Sequence, residues 1–133
     1  MAGLSDVYCW VKLLNVLTDK VIPEGGVAYA GTAVVVRYVV ANDSNKAAGP
    51  LTVVGSLYRN GVRVQPSGQP NVVPAQTITV QPNQIWKKEY TVTEPDAVNY
   101  VAKIFGDVGN FVNEEDEANN QGQKAFAFEW GQQ

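Results

Sequence analysis

Valine occurs 22 times in this 133-residue chain and leucine only six. Side chains branched at Cβ lose rotamer freedom in a helix and pack well on a pleated surface, so a chain of this composition folds through strands. The spacing agrees with the composition. From Thr32 to Ala41, Val34, Val36, Tyr38 and Val40 share one face while Arg37 turns to the other, the period of two that a strand requires. Leu51 to Arg59 places Leu51, Val53 and Leu57 together, and Asn60-Gly61 follows before Val62-Arg63-Val64. Asn-Gly between two such runs predicts a tight hairpin, because both residues tolerate the positive φ of a type I′ turn.

Further strands are predicted at Gln76 to Val80, Ile85 to Thr93, Val98 to Phe105 and Lys124 to Trp130. Trp86, Tyr90 and Val92 fall on one side of the second of these, and Phe126, Phe128 and Trp130 on one side of the last. No segment has the spacing of an amphipathic helix. With the opening run from Val7, the count is about seven or eight strands, which predicts an all-β, immunoglobulin-like antiparallel β-sandwich. The lone cysteine, Cys9, excludes the inter-sheet disulfide of antibody domains and reads as a small buried hydrophobe. Neither a repeat nor a linker composition divides the chain, so residues 1–133 are expected to form a single domain.

Val7 to Leu17 departs from the usual pattern of one dry and one wet face. Val7, Cys9, Val11 and Leu13 lie on one side, and Tyr8, Trp10, Leu14 and Val16 on the other. Either another part of the chain covers the second side, or Tyr8 and Trp10 are aromatic anchors for a second subunit or a different protein.

The chain lacks histidine, and with it the commonest general base, the commonest zinc ligand and every Ser-His or Cys-His nucleophile pair. Ser5, Ser44, Ser56 and Ser67 have no base to activate them, and Lys87 and Lys88 beside Glu89 read as a solvated strand face. A net charge of −3 without a basic cluster argues against nucleic acid as a partner. Membrane insertion is not expected either, since no apolar run approaches about 20 residues. The opening Met1-Ala2-Gly3-Leu4-Ser5-Asp6 lacks a signal-peptide pattern, which leaves cell-surface, extracellular or virion locations as expectations of function alone. Asn42-Asp43-Ser44 matches the glycosylation sequon, a pattern too common to carry weight.

Residues 107–120 hold five carboxylates and four asparagines. Asp107, Glu114, Asp116 and Glu117 are the oxygen donors that a calcium site would use, although the spacing is not that of an EF-hand loop. Solvated carboxylates and turn-forming asparagines are the favoured reading, so no cofactor is expected and calcium is the open alternative. Glu114 and Glu117 have the residue types of a glycosidase pair, with nothing else in support. Trp86 and Trp130, which would stack sugars if exposed, read as core on alternating strands.

Two stretches resemble the CARDB family, the cell-adhesion-related immunoglobulin-like domain of bacteria and archaea. One runs from Val34-Val35-Val36-Arg37-Tyr38 through Ala41-Asn42-Asp43-Ser44 to Leu57-Tyr58-Arg59-Asn60-Gly61, similar to a family strand that ends in Asn near a turn and a following strand that ends in a hairpin. The other is Tyr100 to Asp107 followed by Glu114, Glu117, Asn119 and Asn120 on the spacing Glu-x-x-Glu-x-Asn-Asn. The resemblance implies a non-catalytic sandwich with a role in adhesion or assembly. A non-enzymatic protein–protein interaction module of a surface assembly is therefore the expected function. The alternatives are a phage or virus decoration protein, and a calcium- or carbohydrate-binding module that uses residues 107–120.

Overall fold

The computed structural model describes residues 7–43, 45, 47–106 and 121–130. Among these residues ten strands follow in order: β1 (Val7–Asn15), β2 (Lys20–Ile22), β3 (Gly26–Tyr29), β4 (Val34–Asn42), β5 (Ala48–Arg59), β6 (Val62–Arg63), β7 (Val73–Val80), β8 (Ile85–Val92), β9 (Val98–Gly106) and β10 (Gln121–Glu129). They form a four-stranded sheet, β2-β1-β4-β8, and a six-stranded sheet, β3-β10-β9-β5-β6, in which β7 also pairs with β5. Every pairing is antiparallel except β3 with β10, which is parallel. The fold is thus the all-β, immunoglobulin-like sandwich expected, closed along one side by a parallel edge strand. The two strands that the alternation did not reveal, β2 and β3, have three and four residues on either side of a Pro-Glu-Gly turn, too short to show a period.

The core lies between the sheets and takes the faces that the alternation assigns. Val7, Cys9, Val11 and Leu13 of β1 are buried, as are Val34, Val36, Tyr38 and Val40 of β4. Val98, Tyr100, Ala102 and Ile104 of β9 answer them from the other sheet. Tyr38 spans the gap and donates its hydroxyl to the carbonyl of Ser56 on β5, 2.9 Å away. Burial pushes that hydroxyl above its ordinary pKa, so it stays a neutral donor.

Where strands end, local polar groups account for it. β1 stops at Asn15 rather than Leu17, because the Asn15 carboxamide oxygen accepts from Leu17 and Thr18 N–H while its carbonyl accepts from Asp19. Val16 and Leu17 therefore lie in the turn, outside the strand face that the sequence gives them. The hairpin at Asn60-Gly61 forms as predicted, both residues at positive φ, and Asn60 also binds Asn99 through backbone and side chain. Asn42 is buried, with its amide donating to the carbonyl of Val80, so the sequon-like asparagine is engaged inside the sandwich.

A second tie sits at the turn before β9. Glu94 is buried and accepts two hydrogen bonds from Arg59, each 2.9 Å, and one from the hydroxyl of Tyr100. Arg59 holds the carboxyl below its ordinary pKa against the opposing effect of burial. The arrangement resembles the tyrosine corner of immunoglobulin sandwiches, with a carboxylate as the acceptor instead of a backbone group. The Tyr100 ring then stacks on Phe126 at 5.1 Å, and Phe128 meets both rings edge-on.

Candidate functional site: an apolar patch on the four-stranded sheet

Because β1, β4 and β8 lie side by side, their outward residues form rows whose composition follows from the register. Tyr8, Ala41 and Ile85 make one row, and Trp10, Val39 and Lys87 the next. Lys12, Arg37 and Glu89 make the third, in which Arg37 Nε lies 2.5 Å from Glu89 Oε2. Apart from Lys87 at the β8 end of the second row, the first two rows are apolar, and the charged third row bounds them.

Exposure within the patch is uneven in an informative way. Trp10 is 39% exposed and Ile85 57%, while Val39 between Trp10 and Lys87 is only 2% exposed. Val39 is thus covered by its row neighbours, and among the described residues no segment lies over Trp10 or Ile85 to bury them. The surface dips beside these residues into a shallow hollow of about 330 Å³, lined by Tyr8, Trp10, Ala41, Asp43, Asn83 and Ile85 among others. Asn83, at positive φ, turns the chain there and donates its N–H to the carbonyl of Asn42, which fixes the rim. Large apolar groups left in water on a rigid sheet mark a contact surface more often than a catalytic cleft.

No protein-family model matches the chain, and no curated protein does. Solved structures do match. The CARDB domain of a Pyrococcus furiosus protein, determined in solution, is 16% identical and superposes with a TM-score of 0.62, covering 96% of this chain and 98% of that one. A crystal structure of the same domain in complex with di-metal ions is 17% identical, with a TM-score of 0.62 over 95% of this chain and 90% of that one. The chain has a CARDB-like fold.

Within this CARDB-like sandwich, the structure places the sequence-predicted residues as follows. Tyr8 and Trp10 are on the outer face of β1, joined there by Val39, Ala41 and Ile85. The last three were not singled out from the sequence, although the alternation that turns Trp86 and Tyr90 toward the core also turns Ile85 outward. Asp107, Glu114, Asp116 and Glu117 lie outside the described residues. Trp86 packs against the core as expected, whereas Trp130 lies past the end of β10 and is 63% exposed, a correction to its assignment as core. β10 ends at Glu129 instead of continuing, so the next position on Phe128's face is lost at the strand terminus.

A larger open hollow, about 420 Å³, lies toward the Asn15 end of β1, between the edge strands β2 and β3. Its rim includes exposed Leu17, Val21, Val27 and Tyr29, which makes that end of the CARDB-like sandwich apolar as well.

Proposed function

We propose that this chain is a non-enzymatic protein–protein interaction module, an adhesion or structural component of a surface assembly, and that the Tyr8, Trp10 and Ile85 face is its contact. The observation that carries this reading is the apolar patch of Tyr8, Trp10, Val39, Ala41 and Ile85 on β1, β4 and β8, with Trp10 and Ile85 in water. A partner that covered Trp10 would gain an aromatic anchor on a rigid, ladder-paired backbone, the usual character of an interface hot spot. The likeness to a domain named for cell adhesion supports the same class of role. A virion decoration protein would use the same surface in another setting.

Light scattering tests the contact directly. The wild type is expected to be larger than a monomer, or to form a complex with its native partner, and Tyr8→Ser with Trp10→Ser is expected to be monomeric while retaining the wild-type far-UV spectrum. A variant that assembles as the wild type does would remove this face from the function.

A second reading draws on the di-metal complex of the Pyrococcus furiosus domain. Among the described residues no set of three His, Cys, Asp or Glu side chains is placed to hold a metal, so donors would come from Asp107, Glu114, Asp116 and Glu117. Their carboxylates are hard oxygen donors that suit calcium. On this reading, calcium raises the thermal midpoint, because a ligand that binds only the folded state stabilises it. An unchanged midpoint at millimolar calcium would leave the interaction reading alone.

A further inference from the structure

The outer face of the six-stranded sheet carries a different chemistry. Its rows are Arg63-Tyr58-Val101-Ala125, then Ser56-Lys103-Gln123, then Val54-Phe105-Gln121. Two cations converge on one ring there: the Arg63 guanidinium is 5.5 Å and the Lys103 ammonium 5.1 Å from the centroid of Tyr58. Arg63 also donates to the Tyr58 hydroxyl at 2.8 Å.

Neither cation has a carboxylate partner among the described residues, where the ion pairs are Arg37 with Glu89 and Arg59 with Glu94. None of the three rows contains an acidic side chain, in a chain whose acidic residues outnumber its basic ones by 13 to 10. Glu24, at the margin of this face, is turned to the backbone N–H of Ala125 at the β10 edge. Two like charges held over one ring repel each other, and the aromatic face offsets only part of that. The positive field also shows in Tyr58 itself, whose hydroxyl is held below its ordinary pKa first by the hydrogen bond from Arg63.

Beside the cations is an apolar seat. Phe105 is 42% exposed and lines a hollow of about 320 Å³ with Lys103, Gln121, Gly122 and Gln123. A guanidinium takes a carboxylate through two parallel hydrogen bonds and an ammonium takes one as a point charge, so the pair suits neighbouring carboxylates on one strand of chain.

From this complementarity we propose that the Tyr58, Arg63, Lys103 and Phe105 face binds an acidic protein segment that carries an apolar anchor. The anchor enters the hollow beside Phe105, and the carboxylates neutralise Arg63 and Lys103. This surface is on the sheet opposite the Trp10 patch. With the Trp10 patch on the other sheet, the module then has two contact faces of unlike chemistry, suited to two different partners.

The test is fluorescence anisotropy with the full chain and a labelled eight-residue peptide of glutamates and aspartates around one phenylalanine. Wild type is expected to bind it in low salt and to bind more weakly as salt is added, since exposed charges are screened. Arg63→Glu with Lys103→Glu is expected to reduce affinity at least tenfold, and Lys103→Gln alone to give a smaller loss should the double change disturb folding. Tyr8→Ser with Trp10→Ser is expected to bind as wild type does, which separates this surface from the first. The proposal is overturned by no binding to wild type, by undiminished binding to the folded charge variants, or by equal binding of the glutamine and asparagine version of the peptide. Binding of a sulfated polysaccharide without binding of the peptide overturns it too.

Discussion

Phe128→Ala is expected to cost about 3–5 kcal/mol of folding stability, the range for removing a large aromatic side chain from a packed core. Phe128 is 1% exposed and stands between β9 and β3, opposite Val98 on β9 and beside Ala28 on the parallel strand β3. Its ring meets Tyr100 and Phe126 edge-on, each at 5.9 Å between centroids. Edge-to-face contacts of this kind add to the area buried, so the loss exceeds the transfer of one ring to water. Collapse into the cavity is restricted because β10 is held by ladders on both sides, to β9 and to β3. Urea unfolding would show a lower midpoint with an unchanged slope if native compactness is kept. Trp130→Ala is the contrast: two residues further along, 63% exposed, it is expected to change stability by no more than about 0.5 kcal/mol. A small loss at Phe128, or equal losses at the two positions, would contradict this account of the aromatic cluster.

The comparison of Phe128 with Trp130 also marks where sequence reasoning stops. Period-two alternation tells which residues share a face only while the strand lasts, and the end of β10 is set by tertiary pairing with β3, which the sequence does not display. The same limit explains β2 and β3, whose few residues around Pro23 and Gly25 show no period. By contrast, the inward residues of β1, β4 and β9 and the Asn60-Gly61 turn were legible, because each rests on local rules of alternation or positive φ. The candidate site was half legible. Tyr8 and Trp10 stood out because β1 is apolar on both faces, yet their row partners Ala41, Val39 and Ile85 depend on the register of three strands distant in sequence. The convergence of Arg63 and Lys103 on Tyr58 is a cross-strand effect of the same kind, 40 residues of chain apart and invisible until β5 and β9 are paired.

Gly122→Val is expected to be the second severe change, and it reaches the candidate site through the backbone. A Cβ at position 122 would lie 2.6 Å from the carbonyl oxygen of Cys9 and 3.0 Å from Cα of Trp10. Both atoms are main chain, so no side-chain rotation relieves the contact, and β1 or β10 must move. β10 is tied to β9, where Gly122 lies opposite Ile104, and β1 is tied to β4 along its whole length. Overpacking in such a setting costs about 1–3 kcal/mol or more. The displaced part of β1 is the part that carries Trp10, so the valine variant is expected to lose assembly through the apolar patch even though every patch side chain remains. Gly122→Ala introduces the same Cβ without the branch and is expected to fall between wild type and valine in the urea midpoint. Changes at Gly122 and at Trp10 should also be non-additive for assembly, since residues in contact share one effect. If Gly122→Val unfolds at the wild-type midpoint and assembles normally, then β10 does not hold β1 in place, and the rigidity ascribed to the Trp10 face has another source.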